Sequence, residues 1–251
     1  RVVQELVTPK VIVENAKDFG ISTNIRPVDA IALGVSEVYP LDITMAYAAI
    51  ANNGIYMKPI GITRIEDRHG RILKEYVPHG IEVQDEATTY ILRDMMRTVV
   101  DAGTGGSLRW KYKFTSPAGG KTGTTNSKAD AWFVGFTPQL AIGVWIGMDD
   151  PKISLGEKQY GSSAALPIFA NSMKKIYELG EFQAADELVL LSDQIDWPIS
   201  KNIFKEEICV ETFEKATRYC PEKLKEIFLK ENIPNKECHI HNSPFSRFQN
   251  K

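Results

Sequence analysis

The stretch SPAGGKTGTTNSKADAWFVGF, Ser116 to Phe136, sets Gly120-Lys121-Thr122-Gly123-Thr124 ahead of an apolar segment. Two chemistries use Gly-Lys-Thr to hold an anion: a nucleotide loop, and the rim of a site that grips a peptide. A phosphate loop requires a glycine where Thr115 stands, and a helix after the lysine whose N-terminus supplies further amides. Here Gly123, the β-prone Thr124 and Thr125, and then Ala131-Trp132-Phe133-Val134 predict a strand instead. A period of two places Thr122 and Thr124 on one face and Lys121 and Gly123 on the other.

Outward from this stretch, Ala131 to Thr137 and Leu140 to Gly147 are apolar at successive positions, as strands covered on both faces are. Ser162 to Leu179 carries Ala165, Ile168, Phe169, Ser172 and Ile176 on one stripe, predicting a covering helix with Pro167 in its first turn. Upstream, Thr8-Pro9 opens a short helix with Ile12, Ala16 and Phe19 at helical spacing. A second helix starts at Pro40 and stops at Asn52-Asn53-Gly54. Ile62 to Asp67 and Arg71 to Tyr76 flank Arg68-His69-Gly70 as a hairpin, with His69 a turn residue. Glu86 to Val100 repeats Tyr90, Ile91, Met95 and Val99 as a third amphipathic helix.

The chain has 251 residues, 43% of them hydrophobic, and a net charge of -2, so it can build a sizeable core and offers no electrostatic footprint for nucleic acid. Its longest apolar segment, Leu140 to Met148, is far short of the roughly 20 residues that cross a bilayer. The chain begins at Arg1 without an initiator methionine, and Arg1-Val2-Val3 reads as the continuation of a helix, so a piece of a longer protein is expected. After Gly180 the composition shifts toward charge and scattered prolines. Residues 1–180 are therefore expected to form one domain and residues 181–251 a small extension, with a short helix over Pro221 to Lys230 turning Leu224, Ile227 and Phe228 inward.

Gly120-Lys121-Thr122-Gly123-Thr124-Thr125 followed by Asp130-Ala131-Trp132-Phe133-Val134-Gly135-Phe136-Thr137-Pro138 closely resembles the transpeptidase domain of class A, bifunctional penicillin-binding proteins. The resemblance extends upstream through Ala32-Leu33-Gly34, Pro40-Leu41 and Ala46 to Gly54, and covers residues 2 to 180. It implies an α+β fold, an antiparallel sheet flanked by helices, incomplete at its N-terminal side. It implies a serine D,D-transpeptidase that cross-links peptidoglycan stem peptides and is acylated by β-lactams, outside the cytoplasm, tied to a glycosyltransferase and a membrane anchor further upstream. No cofactor is implied. Carried onto this sequence, Thr122 and Thr124 donate hydroxyls to the peptide's terminal carboxylate, and the Thr124 backbone N–H is one arm of an oxyanion hole. Lys121, on the inner side, supplies positive charge, while Gly123 leaves room for the helix bearing the nucleophile. Asp130 and Trp132 match the pattern without an assigned role.

The family's nucleophile lies in S-x-x-K, ahead of Lys-Thr-Gly, with a second serine in S-x-N. The single S-x-x-K here, Ser172 to Lys175, follows it, and the S-x-N matches at Ser22 and Ser200 fall in a loop and in the extension. All three read as chance. The chain is thus expected to carry the carboxylate-binding strand without the nucleophile. A β-lactamase or D-Ala-D-Ala carboxypeptidase shares the Lys-Thr-Gly strand and stays open as an alternative, as does a non-catalytic module that holds D-Ala-D-Ala ends or a partner.

Cys209, Cys220 and Cys238 all lie in the extension, separated by ten and then seventeen residues. An extracytoplasmic setting favours one disulfide with a leftover thiol. Three thiolates and His239 around zinc, or three free thiols, are the other readings.

Overall fold

The computed structural model describes residues 6–184 and 187–243. The helix read through Arg1-Val2-Val3 lies outside these residues. The chain divides into two compact units, one made of Arg1–Asp85 and Leu92–Trp197, the other of Glu86–Ile91 and Pro198–Lys251. Residues 181–197, given to the extension on composition, cluster with the first unit.

Helix α1 spans Pro9–Asp18 and α2 spans Pro40–Ala51, each with proline in its first turn where no backbone donor is needed. Asn53 and Gly54 end α2 at φ 54° and 86°, left-handed values that asparagine and glycine tolerate. Three short strands follow, β1 (Ile55–Met57), β2 (Arg64–Glu66) and β3 (Ile72–Glu75), and then β4 (Gly80–Glu82), which pairs with β1. β2 and β3 form the expected hairpin, with Gly70 at φ 79°. Asp67 shapes its turn by accepting the N–H groups of His69 and Arg71. The Arg71 guanidinium holds the Asp67 carboxyl below its ordinary value.

Helix α3 covers Glu86–Asp101 and α4 covers Ser107–Trp110. The largest side chain that α3 buries is Arg93, 2% exposed, while Met95 is exposed. Arg93 donates to Asn53 Oδ1 at 2.7 Å, and its guanidinium lies 4.8 Å from the Trp197 ring centroid. A charge on this face is held because Nη1 donates a hydrogen bond and the guanidinium lies over an aromatic ring.

The centre of the first unit is the antiparallel sheet β5 (Gly119–Thr124), β6 (Asp130–Phe136) and β7 (Ala141–Gly147), with β6 in the middle. One face carries Phe133, whose ring lies 4.7 Å from that of Phe169 on helix α5 (Leu166–Leu179), among buried Val100, Leu108 and Met173. The other carries Phe136, packed with Ile50 of α2 and Trp197. Phe133 and Phe136 differ in parity, so both faces of one strand are buried, as the unbroken apolar run predicts. On α5 the buried stripe is Leu166, Phe169, Ala170 and Met173, whereas Ile168 is half exposed. The predicted stripe through Ile168 and Ser172 is therefore rotated by about one position. Thr137 makes the β6–β7 turn by accepting from the N–H groups of Gln139 and Leu140 and from the Tyr177 hydroxyl, which burial pushes up. Hairpin β8 (Glu181–Ala184) and β9 (Glu187–Leu190) follows α5.

In the second unit β10 (Ile203–Cys209) and β11 (Lys223–Leu229) form an antiparallel hairpin, in register from Ile203↔Leu229 to Cys209↔Lys223. The helix expected over Pro221 to Lys230 is corrected to a strand. Leu224, Ile227 and Phe228 satisfy helical spacing, but seven residues cannot separate the two periods, and β10 supplies the ladder partner. Among the described residues no helix is long and apolar enough to cross a membrane.

Candidate substrate-binding strand

Lys121 sits within β5, paired with Val134, and no helix follows it. This removes the nucleotide-loop reading. Gly119 and Gly120 seat the strand, since a Cβ at Gly120 would lie 2.8 Å from the Val134 carbonyl oxygen and one at Gly119 would lie 2.8 Å from the Phe136 ring. The turn after β5 is closed by Thr125, whose hydroxyl oxygen accepts the N–H groups of Ala129 and Asp130 at 3.0 Å each.

Thr122 and Thr124 lie opposite Phe133 and Ala131, and share their face. Thr122 Oγ1 is 2.8 Å from Thr104 Oγ1, in the Gly103–Gly106 loop after α3. Thr124 Oγ1 accepts the Gly161 N–H at 3.0 Å. Gly161 opens a turn of π-helix, Gly161–Ala165, ahead of α5. Its close seat is glycine-specific: a Cβ there would stand 2.3 Å from the Trp132 carbonyl oxygen and 2.6 Å from that of Gly123. Thr104 also lines a groove of about 370 Å³ with Gly106, Trp110, Ser162 and Pro167.

On the opposite face Lys121 is exposed, and its ammonium donates to the Thr122 carbonyl at 2.9 Å. That face is approached by α2, where a Cβ on Gly143 would fall 2.0 Å from Thr44 Oγ1. At Gly123 the close neighbours among the described residues are Trp132, 3.1 Å from the place of a Cβ, and Gly161. Asp130 accepts the Trp145 indole N–H at 2.8 Å, and Trp145 stands beside Trp132 with ring centroids 6.2 Å apart. These three residues brace the sheet end.

The structure thus brings Thr122, Gly123 and Thr124 together with Thr104 and Gly161, to which sequence reasoning assigned no role. The glycines at 103, 105, 106 and 161 were the available signal, because clustered glycines mark close backbone approach. Ser22 is bound through both its N–H and its hydroxyl to Asp42, at 2.8 and 2.6 Å. Ser172 lies on α5 beside its buried stripe.

A family model described as the penicillin binding protein transpeptidase domain matches residues 10–174. Penicillin-binding protein 1A of Aquifex aeolicus is 39% identical over 186 residues, 73% of this chain and 25% of that protein. The chain spans about a quarter of the length of the curated relatives it matches. Among solved structures, penicillin-binding protein 1A from Haemophilus influenzae superposes with a TM-score of 0.80 at 24% identity, over 95% of this chain and 39% of that one. PonA1 from Mycobacterium tuberculosis in complex with penicillin V gives 0.57 at 24% identity, over 66% and 49%. At these identities the two structures speak to the fold.

Proposed function

Because the chain belongs to the penicillin-binding protein transpeptidase family, we propose that β5 holds the carboxyl end of a peptidoglycan stem peptide within a longer D,D-transpeptidase. In that reaction a serine attacks the penultimate D-Ala carbonyl, terminal D-Ala leaves, and the amine of a neighbouring stem displaces the serine. β-Lactams enter as imitations of the D-Ala-D-Ala end, and both substrates meet the protein outside the cytoplasm.

The observation that carries this reading is the direction of the hydroxyl bonds. A hydroxyl has one proton and two lone pairs. Thr124 is an acceptor toward Gly161 N–H, so its own proton is left for an anion. The Thr122–Thr104 pair shares one of its two protons between them, which leaves the second to donate outward. Two donors, one from Thr124 and one from the Thr122–Thr104 pair, suit a carboxylate, and Lys121 adds a positive field at the same strand. The Thr124 backbone N–H serves the developing oxyanion, where a lost donor costs about 10²–10³ in rate. Gly123 and Gly161 keep the backbone low there. The single S-x-x-K, at Ser172, is on the covering helix and is not assigned as nucleophile. On this reading the chain by itself is not acylated.

The test uses a fluorescent penicillin on this polypeptide and on the longer protein that contains it. The longer protein should label at a serine outside this chain, and Thr124→Ala should slow labelling by about 10–100-fold, the value of one hydrogen bond to a charged group. The isolated chain should stay unlabelled and bind a D-Ala-D-Ala peptide weakly and reversibly. A covalent adduct on Ser172, or unchanged kinetics in Thr124→Ala, would overturn the assignment.

A further inference from the structure

The thiols of Cys209, Cys220 and Cys238 and the imidazole of His241 are all buried, and their ligand atoms lie within 4.8 Å of one another. We propose that these four residues bind one zinc ion, a closed Cys3His site that holds the second unit together. Their positions come from the hairpin. Cys209 ends β10, Cys220 precedes β11, and Cys238 with His241 sits on the segment that Lys215 ties back through its N–H to Lys236 and its carbonyl to the Cys238 N–H.

Distances separate this reading from its rivals. His241 Nδ1 stands 3.4 Å from Cys209 Sγ and 3.3 Å from Cys238 Sγ. Tetrahedral zinc with bonds of about 2.3 Å to sulfur and 2.0–2.1 Å to nitrogen sets that edge at about 3.5 Å. None of the three cysteines is in a disulfide. The disulfide expected from the sequence is thus replaced by a convergence of all three thiols on one imidazole. His239, the nitrogen ligand of the alternative zinc reading, is exposed instead and bonds Glu214 Oε2 at 2.7 Å.

The surroundings are those of a metal shell. The Thr217 N–H points at Cys220 Sγ at 3.3 Å. The second ring nitrogen of His241 faces Glu211 Oε1 at 3.6 Å, which orients Nδ1 inward. Three sulfurs and an imidazole select zinc over hard cations such as magnesium or calcium, and four protein ligands leave no open position for chemistry. On binding, each thiol proton passes to solvent as the sulfur–zinc bond forms, with no change of oxidation state.

The fold supplies an independent reason. From residue 198 onward Ile208 is the only large aliphatic side chain buried among the described residues, and the cluster at the centre is the three cysteines with Ala216 and Ile240. A unit with so little apolar area requires a staple.

The experiment is metal analysis of the full chain, purified reduced and without chelator, together with its His241→Ala and His239→Ala variants. Expected are one zinc per chain, three thiols that react with a thiol reagent only after metal removal, and a tetrahedral sulfur-ligated spectrum after cobalt replacement. His241→Ala should weaken zinc binding by more than about tenfold and His239→Ala should leave it unchanged. Three readily reactive thiols with less than stoichiometric metal, an intrachain disulfide in freshly isolated protein, or loss of zinc in His239→Ala alone would each overturn the proposal.

Discussion

The two compact units bury different atoms. Around the sheet, Phe133, Phe136, Phe169, Leu108, Leu166 and Met173 are fully enclosed, and stability is spread over many contacts of a few tenths of a kilocalorie each. Among the described residues from 198 onward, the enclosed atoms are chiefly sulfur and imidazole nitrogen, with Ile208 the one large aliphatic side chain beside them. A spread interior degrades gradually as pieces are removed. An interior concentrated at one point has a single place at which it fails, and that place is chemical.

The largest test of this contrast is metal removal. Structural zinc contributes about 10–16 kcal/mol in small domains. Chelation should therefore abolish amide-exchange protection in β10 and β11 while β6 keeps its own, and unchanged protection in β10 and β11 would erase the contrast. Next comes Phe169→Ala, a cavity behind the sheet that should lower the first unit's stability by about 3–5 kcal/mol without changing metal content. Thermal melting followed at a first-unit tryptophan reads it. Gly161→Ala should cost about 1–3 kcal/mol, because the new methyl meets two backbone carbonyls and not a movable side chain. Smallest is Thr124→Val, which removes one hydroxyl acceptor and should cost about 1 kcal/mol in denaturant unfolding, well below its effect on ligand binding.

Much of the first unit was legible because punctuation and period agreed there. Pro40 and Asn52-Asn53-Gly54 bracket α2, and Lys-Thr-Gly with the apolar run after Asp130 gives β5 and β6. What stayed hidden depended on tertiary partners. Arg93 is buried only because Asn53 and Trp197 meet it. The phase of α5 slipped because Ile168, apolar and at helical spacing, points outward, while Met173 took the place given to Ser172. Thr104 belongs to the site only through its bond to Thr122, eighteen residues away. In the extension, Cys238 and His241 stand three residues apart, a ligand spacing visible in the sequence, yet His239 lay nearer to the cysteine and no periodicity tells the two imidazoles apart. β11 was lost for the same reason, since its partner strand begins twenty residues earlier.

β5 borders β6 on one side alone among the described residues. Open edges of this kind are where identical chains stack into aggregates, and proteins guard them with charge and with side chains too small to interlock. Glycine at three of six positions, two hydroxyls and an ammonium meet that need, so the same composition proposed to receive a guest peptide also keeps the edge from recruiting a copy of itself.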